Sequence, residues 1–289
     1  MSDTTAANRT GRRLTLWDAM RHGLWISLVP IETWFWLIQP LVRGEVGWDS
    51  RAYWGVWRNG IYSHPPGTLD AFNYSPAFAQ VIWPLTLLPW PVFLTVWSVL
   101  LVACLAWLTW PMGRKWGPLV FVVCIPSAIT IGNVDVLFGV VAALGLRSAA
   151  LWVLPALTKL VPTMGPLWFL ARREWRPLVR SALVTAAVVT ASVALAPHLW
   201  AEWVQFVRGA PPPAVGDPYL PLWIRAGAAV LLVVWGARTE RRWTVPVAMV
   251  LASPLPGPQT LVILTALGRL RGSSLPRESA VRAERTSKA

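Results

Sequence analysis

Apolar runs of about 18 residues or more recur along most of this chain, separated by short arginine-rich turns. Nothing else in the sequence restricts the fold as strongly. Lipid offers no water to the backbone, so a segment that crosses it must close its own N–H and C=O groups as a helix. The expected fold is an all-α polytopic membrane protein with about 8–10 transmembrane or half-membrane helices. Only 13% of residues are charged, against about 25% in a soluble domain. No hydrophilic stretch is long enough to fold as a separate module, so one membrane domain is expected over 23–268. Polar basic tails are expected at 1–22 and 269–289, both cytoplasmic.

The net charge of +13 raises the question of nucleic acid, but the positions of the charges answer it. Arginines and lysines gather in the N-terminal tail, at 114–115, at 147, at 172–180, at 238–242 and in the C-terminal tail. That is the pattern of turns retained on the cytoplasmic side of a membrane, and no nucleic-acid partner is expected. Orientation follows. Segments 43–75, 132–135, 198–217 and 253–259 must then approach the outer face, and each carries polar residues or helix-breaking prolines. Helices broken in this way persist only where their freed backbone groups face protein or a water-filled cavity. The first apolar stretch, 23–42, has no small-residue cleavage site after it and reads as a retained span. Cys104 and Cys124 lie apart in apolar runs, with neither disulfide nor metal spacing; they read as packing residues.

The charged residues inside or beside apolar sequence are the candidates for chemistry. Asp49 follows the first span in GWDSRAYWGVWRNGIY. It is either a solvated loop carboxylate or a general base at the membrane edge, its pKa raised by partial desolvation and lowered by Arg51 nearby. Glu45 is a weaker alternative on the same loop. If the loop is helical, Tyr53 and Trp57 share a face at i, i+4, suited to lying on the membrane or against a sugar ring. His64 stands alone. Asn73 and Tyr74 precede Pro76, which starts a helix, and either line a site or cap locally. Asp135, in IGNVDVLFG, and Lys159, in LTKLVP, are costly in apolar surroundings unless solvated or paired. They line a cavity, or they pair with each other. Lys159 is also placed to attract a phosphate, and Lys159→Met is then expected to weaken binding of that phosphate more than folding. Glu32, inside the first span, and Glu202, among aromatics, read as structural.

Four stretches resemble the GT-C superfamily of polyprenol-phosphate-dependent glycosyltransferases, specifically glycosyltransferase family 87 (GT87) and its actinobacterial mannosyltransferase-like members. They are WDSRAYWGVWRNGIY, FNYSPAFAQVIWPLTLLP, IGNVDVLFGVVAAL and LPALTKLVPTMGPLWFLARREWRPL. The chain looks like a short, divergent member, with Asn133 where glutamine is usual and Asp135 where asparagine is usual. The resemblance implies a GT-C-like bundle in a bacterial plasma membrane, with the active site on the periplasmic side. It implies an inverting transfer of a sugar, mannose or another pentose or hexose, from a polyprenyl-phosphate donor to a lipid or glycan acceptor. Asp49 falls at the position of the proposed catalytic aspartate. Lys159, Arg51 or Arg225 would steady the departing phosphate, with Asn133 and Asp135 in the same cavity. Tyr53, Trp57, His64, Asn73 and Tyr74 would line the acceptor or sugar. No obligatory cofactor or metal is implied, and membrane lipids and an envelope-biosynthesis protein are the implied partners. Two alternatives stay open: a small lipid or solute transporter or flippase using Asp135 and Lys159, and a noncatalytic partner of a membrane glycosyltransferase.

Overall fold

The structure is a computed structural model that describes residues 15–68, 70–209, 220–254 and 257–270. Most of both expected tails and residues 210–217 of the outer segment lie outside the described residues.

All regular structure among the described residues is helical. α1 (Leu16–Thr33) starts where Thr15 accepts a hydrogen bond from the Asp18 backbone N–H, a standard N-cap. This cap lies ahead of the expected span, so the end of the expected N-terminal tail and the span form one helix. A π-helical turn at Trp34–Ile38 leads into α2 (Gln39–Arg43). Such turns loosen the backbone ladder, and here the Trp36 carbonyl accepts the Thr130 hydroxyl. The short α3 (Trp48–Gly55) follows, then an irregular loop, then α4 (Pro76–Thr86) with Pro76 in its first turn. α5 (Trp90–Thr109) and α6 (Gly113–Pro126) form a hairpin that reverses at Gly113, where φ is +77°. The hairpin returns Gly132 to Trp97, whose indole N–H donates to the Gly132 carbonyl at 2.8 Å.

α7 (Asp135–Leu144) descends from that end, and α8 (Val153–Thr158), entered through a 3-10 turn, rises again. α9 (Gly165–Ala171), α10 (Trp175–Leu195) and α11 (Pro197–Arg208) follow. α12 (Leu222–Arg238) and α13 (Thr244–Leu251) pair closely. A 3-10 stretch, Pro258–Ala266, closes the bundle with α14 (Leu267–Leu270). Among the described residues, three helical runs are long and apolar enough to cross a membrane: Leu16–Arg43, Trp90–Ile131 (the folded hairpin) and Trp175–Leu195. The shorter apolar pieces Asp135–Leu144, Ala149–Thr158 and Gln259–Leu270 pack among them, and Asp135, Lys159 and Thr260 bring one end of each together. This is an all-α polytopic membrane protein.

The bundle has two chemically distinct ends. At one, Lys115 pairs with Asp18 at 3.3 Å, Arg172 with Glu240 at 3.2 Å, and Arg269 donates to the Trp107 carbonyl at 2.9 Å. The basic turns therefore share one end, as the arginine pattern predicts. At the other end Gly47 N–H donates to the Thr130 carbonyl at 2.7 Å and the Ser75 hydroxyl to the Leu157 carbonyl at 2.6 Å. There the loop after α3 folds over an aromatic core in which Tyr53 meets Phe72, Tyr74, Phe78 and Trp97 edge-on, with centroids 5.4–6.5 Å apart.

Candidate active site

Asp49 sits in the first turn of α3, where the helix dipole favours a carboxylate. Two glycines place it. Gly47, at φ +72°, turns the chain into α3 while its N–H reaches the Thr130 carbonyl. Gly132, at φ +68°, lets the loop before α7 come directly against α3; a Cβ there would land on the Ser50 hydroxyl. Gly132→Ala is therefore expected to lose about 1–2 kcal/mol from the left-handed backbone alone, with the collision added. Unfolding of the detergent-solubilised protein checks this, and Ser50→Ala in the same chain should recover part of the loss but not the backbone share.

That close approach brings Asn133 to Asp49. The Asn133 side-chain N–H donates to Asp49 Oδ2. Its Oδ1 accepts the Asp135 backbone N–H at 2.9 Å and the Lys159 ammonium at 3.4 Å. Two donors on Oδ1 determine which end of the amide faces Asp49. Lys159 Nζ also contacts Asp135 Oδ1 at 2.7 Å, and Thr260 donates its hydroxyl to Asp135 Oδ2 at 3.2 Å. Four segments remote in sequence thus meet in one chain of polar contacts, from Asp49 through Asn133 to Lys159, Asp135 and Thr260. Asp135 is 1% exposed and the Lys159 side chain 14%. A carboxylate so enclosed needs its cation, so the two pair, which is the structural alternative the sequence leaves open.

Asp49 is half-buried and Glu45 is exposed. Burial raises the Asp49 pKa above the usual carboxylate value; the Asn133 hydrogen bond and the Lys159 charge pull it back, and the Asp135 charge pushes it up. A carboxylate raised in this way holds a proton more readily than a solvated one.

The other nominated residues divide into groups. Arg225 does not reach this cluster. Its guanidinium donates to the carbonyls of Leu220, Leu251, Ser253 and Pro254 at 2.7–3.4 Å, clamping the end of α13, where helix carbonyls lack intrahelical partners. Arg51 is exposed and lines a separate cleft. Tyr53 and Tyr74 are enclosed, 0% and 7% exposed, and share a hydrogen bond between hydroxyls at 2.9 Å. They brace the wall beside Asp49 instead of presenting a ring face to a sugar. Trp57 lies beyond the end of α3, so it shares no helical face with Tyr53; its indole N–H donates to the Ala79 carbonyl at 3.1 Å. Asn73 braces its own loop through the Gly67 N–H and the Ala71 carbonyl. His64 accepts or donates only to its neighbour Ser63 among the described residues. Sequence reasoning missed Thr260 and Ser50. The proline-rich break at 254–258 was the one signal for Thr260, because it returns the chain to this end.

The family model of glycosyltransferase family 87 matches residues 72–271. The match spans more than half of the chain and includes Asn133, Asp135, Lys159 and Thr260, while Asp49 precedes it. No curated protein and no solved structure matches.

Proposed function

The chain belongs to glycosyltransferase family 87, and from that premise we propose that it is an inverting transferase using a polyprenyl-phosphate-linked sugar. The acceptor is a lipid or glycan hydroxyl at the outer face of a bacterial plasma membrane. The observation that carries this reading is the half-buried Asp49 carboxylate, oriented by Asn133 at the bundle end opposite the basic turns. In the proposed step the acceptor oxygen attacks the anomeric carbon and its proton passes to Asp49. The bond from the anomeric carbon to the phosphate oxygen breaks, and its electron pair leaves with the polyprenyl phosphate. A preformed phosphate leaving group is a stable anion, so the protein's work is proton removal, orientation and charge balance. Lys159 keeps the buried Asp135 neutralised and has a third N–H for a donor oxygen.

Two measurements test this reading. Purified protein is assayed against a panel of polyprenyl-phosphate sugars with lipid and glycan acceptors; one donor should support transfer with inversion at the anomeric carbon. Single cysteines at Asn59 and Arg173 are labelled in sealed cells with an impermeant reagent. Modification at 59 and protection at 173 are expected. Labelling at 173 from outside would place the Asp49 end in the cytoplasm and remove the outer-face assignment.

A further inference from the structure

The face of α3 turned away from Asp49 borders a cleft of ≈ 240 Å³. Arg51 follows Asp49 by two residues, roughly 200° around the helix, so α3 stands between this cleft and Asp49. Arg51, Asn59, His64 and Asp70 line the cleft over a floor that includes Ile61 and Phe72. Its polar groups are unspent. The Arg51 guanidinium makes no hydrogen bond or ion pair among the described residues, and His64 uses only Nδ1, toward Ser63. Asp70 Oδ1 is enclosed without a hydrogen-bond partner among the described residues, and Asp70 holds a left-handed backbone at φ +63°. A buried carboxylate oxygen left unpaired calls for a donor.

We propose that this cleft is a carbohydrate subsite holding a neutral sugar unit of the acceptor. The lining carries one guanidinium, Arg51, and one carboxylate, Asp70, so an anionic headgroup gains from Arg51 what it loses to Asp70. A polyhydroxylated ring suits both, donating to Asp70 and accepting from Arg51 and Asn59. The helix between this cleft and Asp49 is about 10 Å across, so an acceptor of a few sugars reaches from here to Asp49. Sugar binding stands independently of the reaction; its use as the acceptor site rests on the proposed transferase reading.

The test uses the full chain in nanodiscs and measures binding of neutral trisaccharides, mannotriose and maltotriose, by ligand-observed NMR. At least one should bind to wild type. Asp70→Asn, a residue that tolerates the left-handed backbone, and Arg51→Gln should each weaken it about tenfold or more, while Glu45→Gln, at an exposed position, binds as wild type. Each variant's unfolding temperature is recorded to confirm an intact fold. Absence of binding by both sugars, or equal binding by wild type and both cleft variants, overturns the proposal. So does an affinity seen only with phosphatidylglycerol nanodiscs that Arg51→Gln abolishes and Asp70→Asn does not, because that is a headgroup site. Trisaccharide binding lost in both variants, with no transfer from any donor, keeps the subsite and rejects the transferase reading.

Discussion

Asp49→Asn is expected to lower the rate of sugar transfer by about 100-fold or more, the scale of a lost general base. Asparagine keeps the size of the side chain and removes its capacity to take the acceptor proton. Donor affinity should change little, since the carboxylate matters most as the attacking oxygen gives up its proton. Glu45→Gln, on the same loop but exposed, is the control and should be mild. The pH profile adds an independent readout. In the proposed step activity requires deprotonated Asp49, so it should fall as pH drops through the pKa of that carboxylate. The Asn133 hydrogen bond lowers that pKa against the effect of burial, so Asn133→Ala should move the acidic limb to higher pH and Asn133→Gln should restore part of it. Transfer by Asp49→Asn at the wild-type rate would remove the carboxylate from the mechanism.

Lys159→Met is expected to destabilise the protein by about 3–5 kcal/mol, the cost of stranding a buried charge. The charge in question is Asp135, which is 1% exposed and contacts Lys159 at 2.7 Å. This reverses the expectation from sequence, in which the lysine contributes to donor binding more than to folding. A double-mutant cycle separates the two accounts. Lys159→Met combined with Asp135→Asn removes both charges and should recover most of the stability, giving a large coupling energy. Lys159→Met that unfolds like wild type while losing donor affinity would make the lysine a phosphate contact and the ion pair incidental. Denaturant unfolding in detergent, alongside donor binding of each folded variant, decides between these results.

Much of the architecture was legible because lipid imposes a simple rule on sequence. The hairpin reversal at Gly113 sits beside Arg114 and Lys115, and the return at 172–174 carries two arginines. In each case a basic turn between apolar runs located a helix end. The start of α4 at Pro76 was legible too, because proline lacks the N–H that a first turn leaves unpaired. The extent of α1 was not. The polar tail reads as separate from the span, yet the Thr15 cap sets a helix start ahead of the apolar run.

The site was legible as a set of residues and illegible as an arrangement. Asp49, Asn133, Asp135 and Lys159 each stand out because a polar group beside apolar sequence is costly without a partner, and that cost is local to each residue. Which partner meets it depends on contacts across 24 to 125 residues of sequence separation. Arg225 and Arg51 carry the same charge as Lys159, and local sequence cannot rank the three. The end of α13 took Arg225 for its carbonyls, the turn of α3 sent Arg51 to the far cleft, and the rise of α8 brought Lys159 to Asp135. The sequence by itself determined the helices, the grouping of basic turns and the short roster of costly polar residues, because hydrophobic and charge patterns act at short range. Only the tertiary structure decided which of those residues meet, because meeting depends on the close approach of α3 to Gly132 and on the ends of the broken helices coming together.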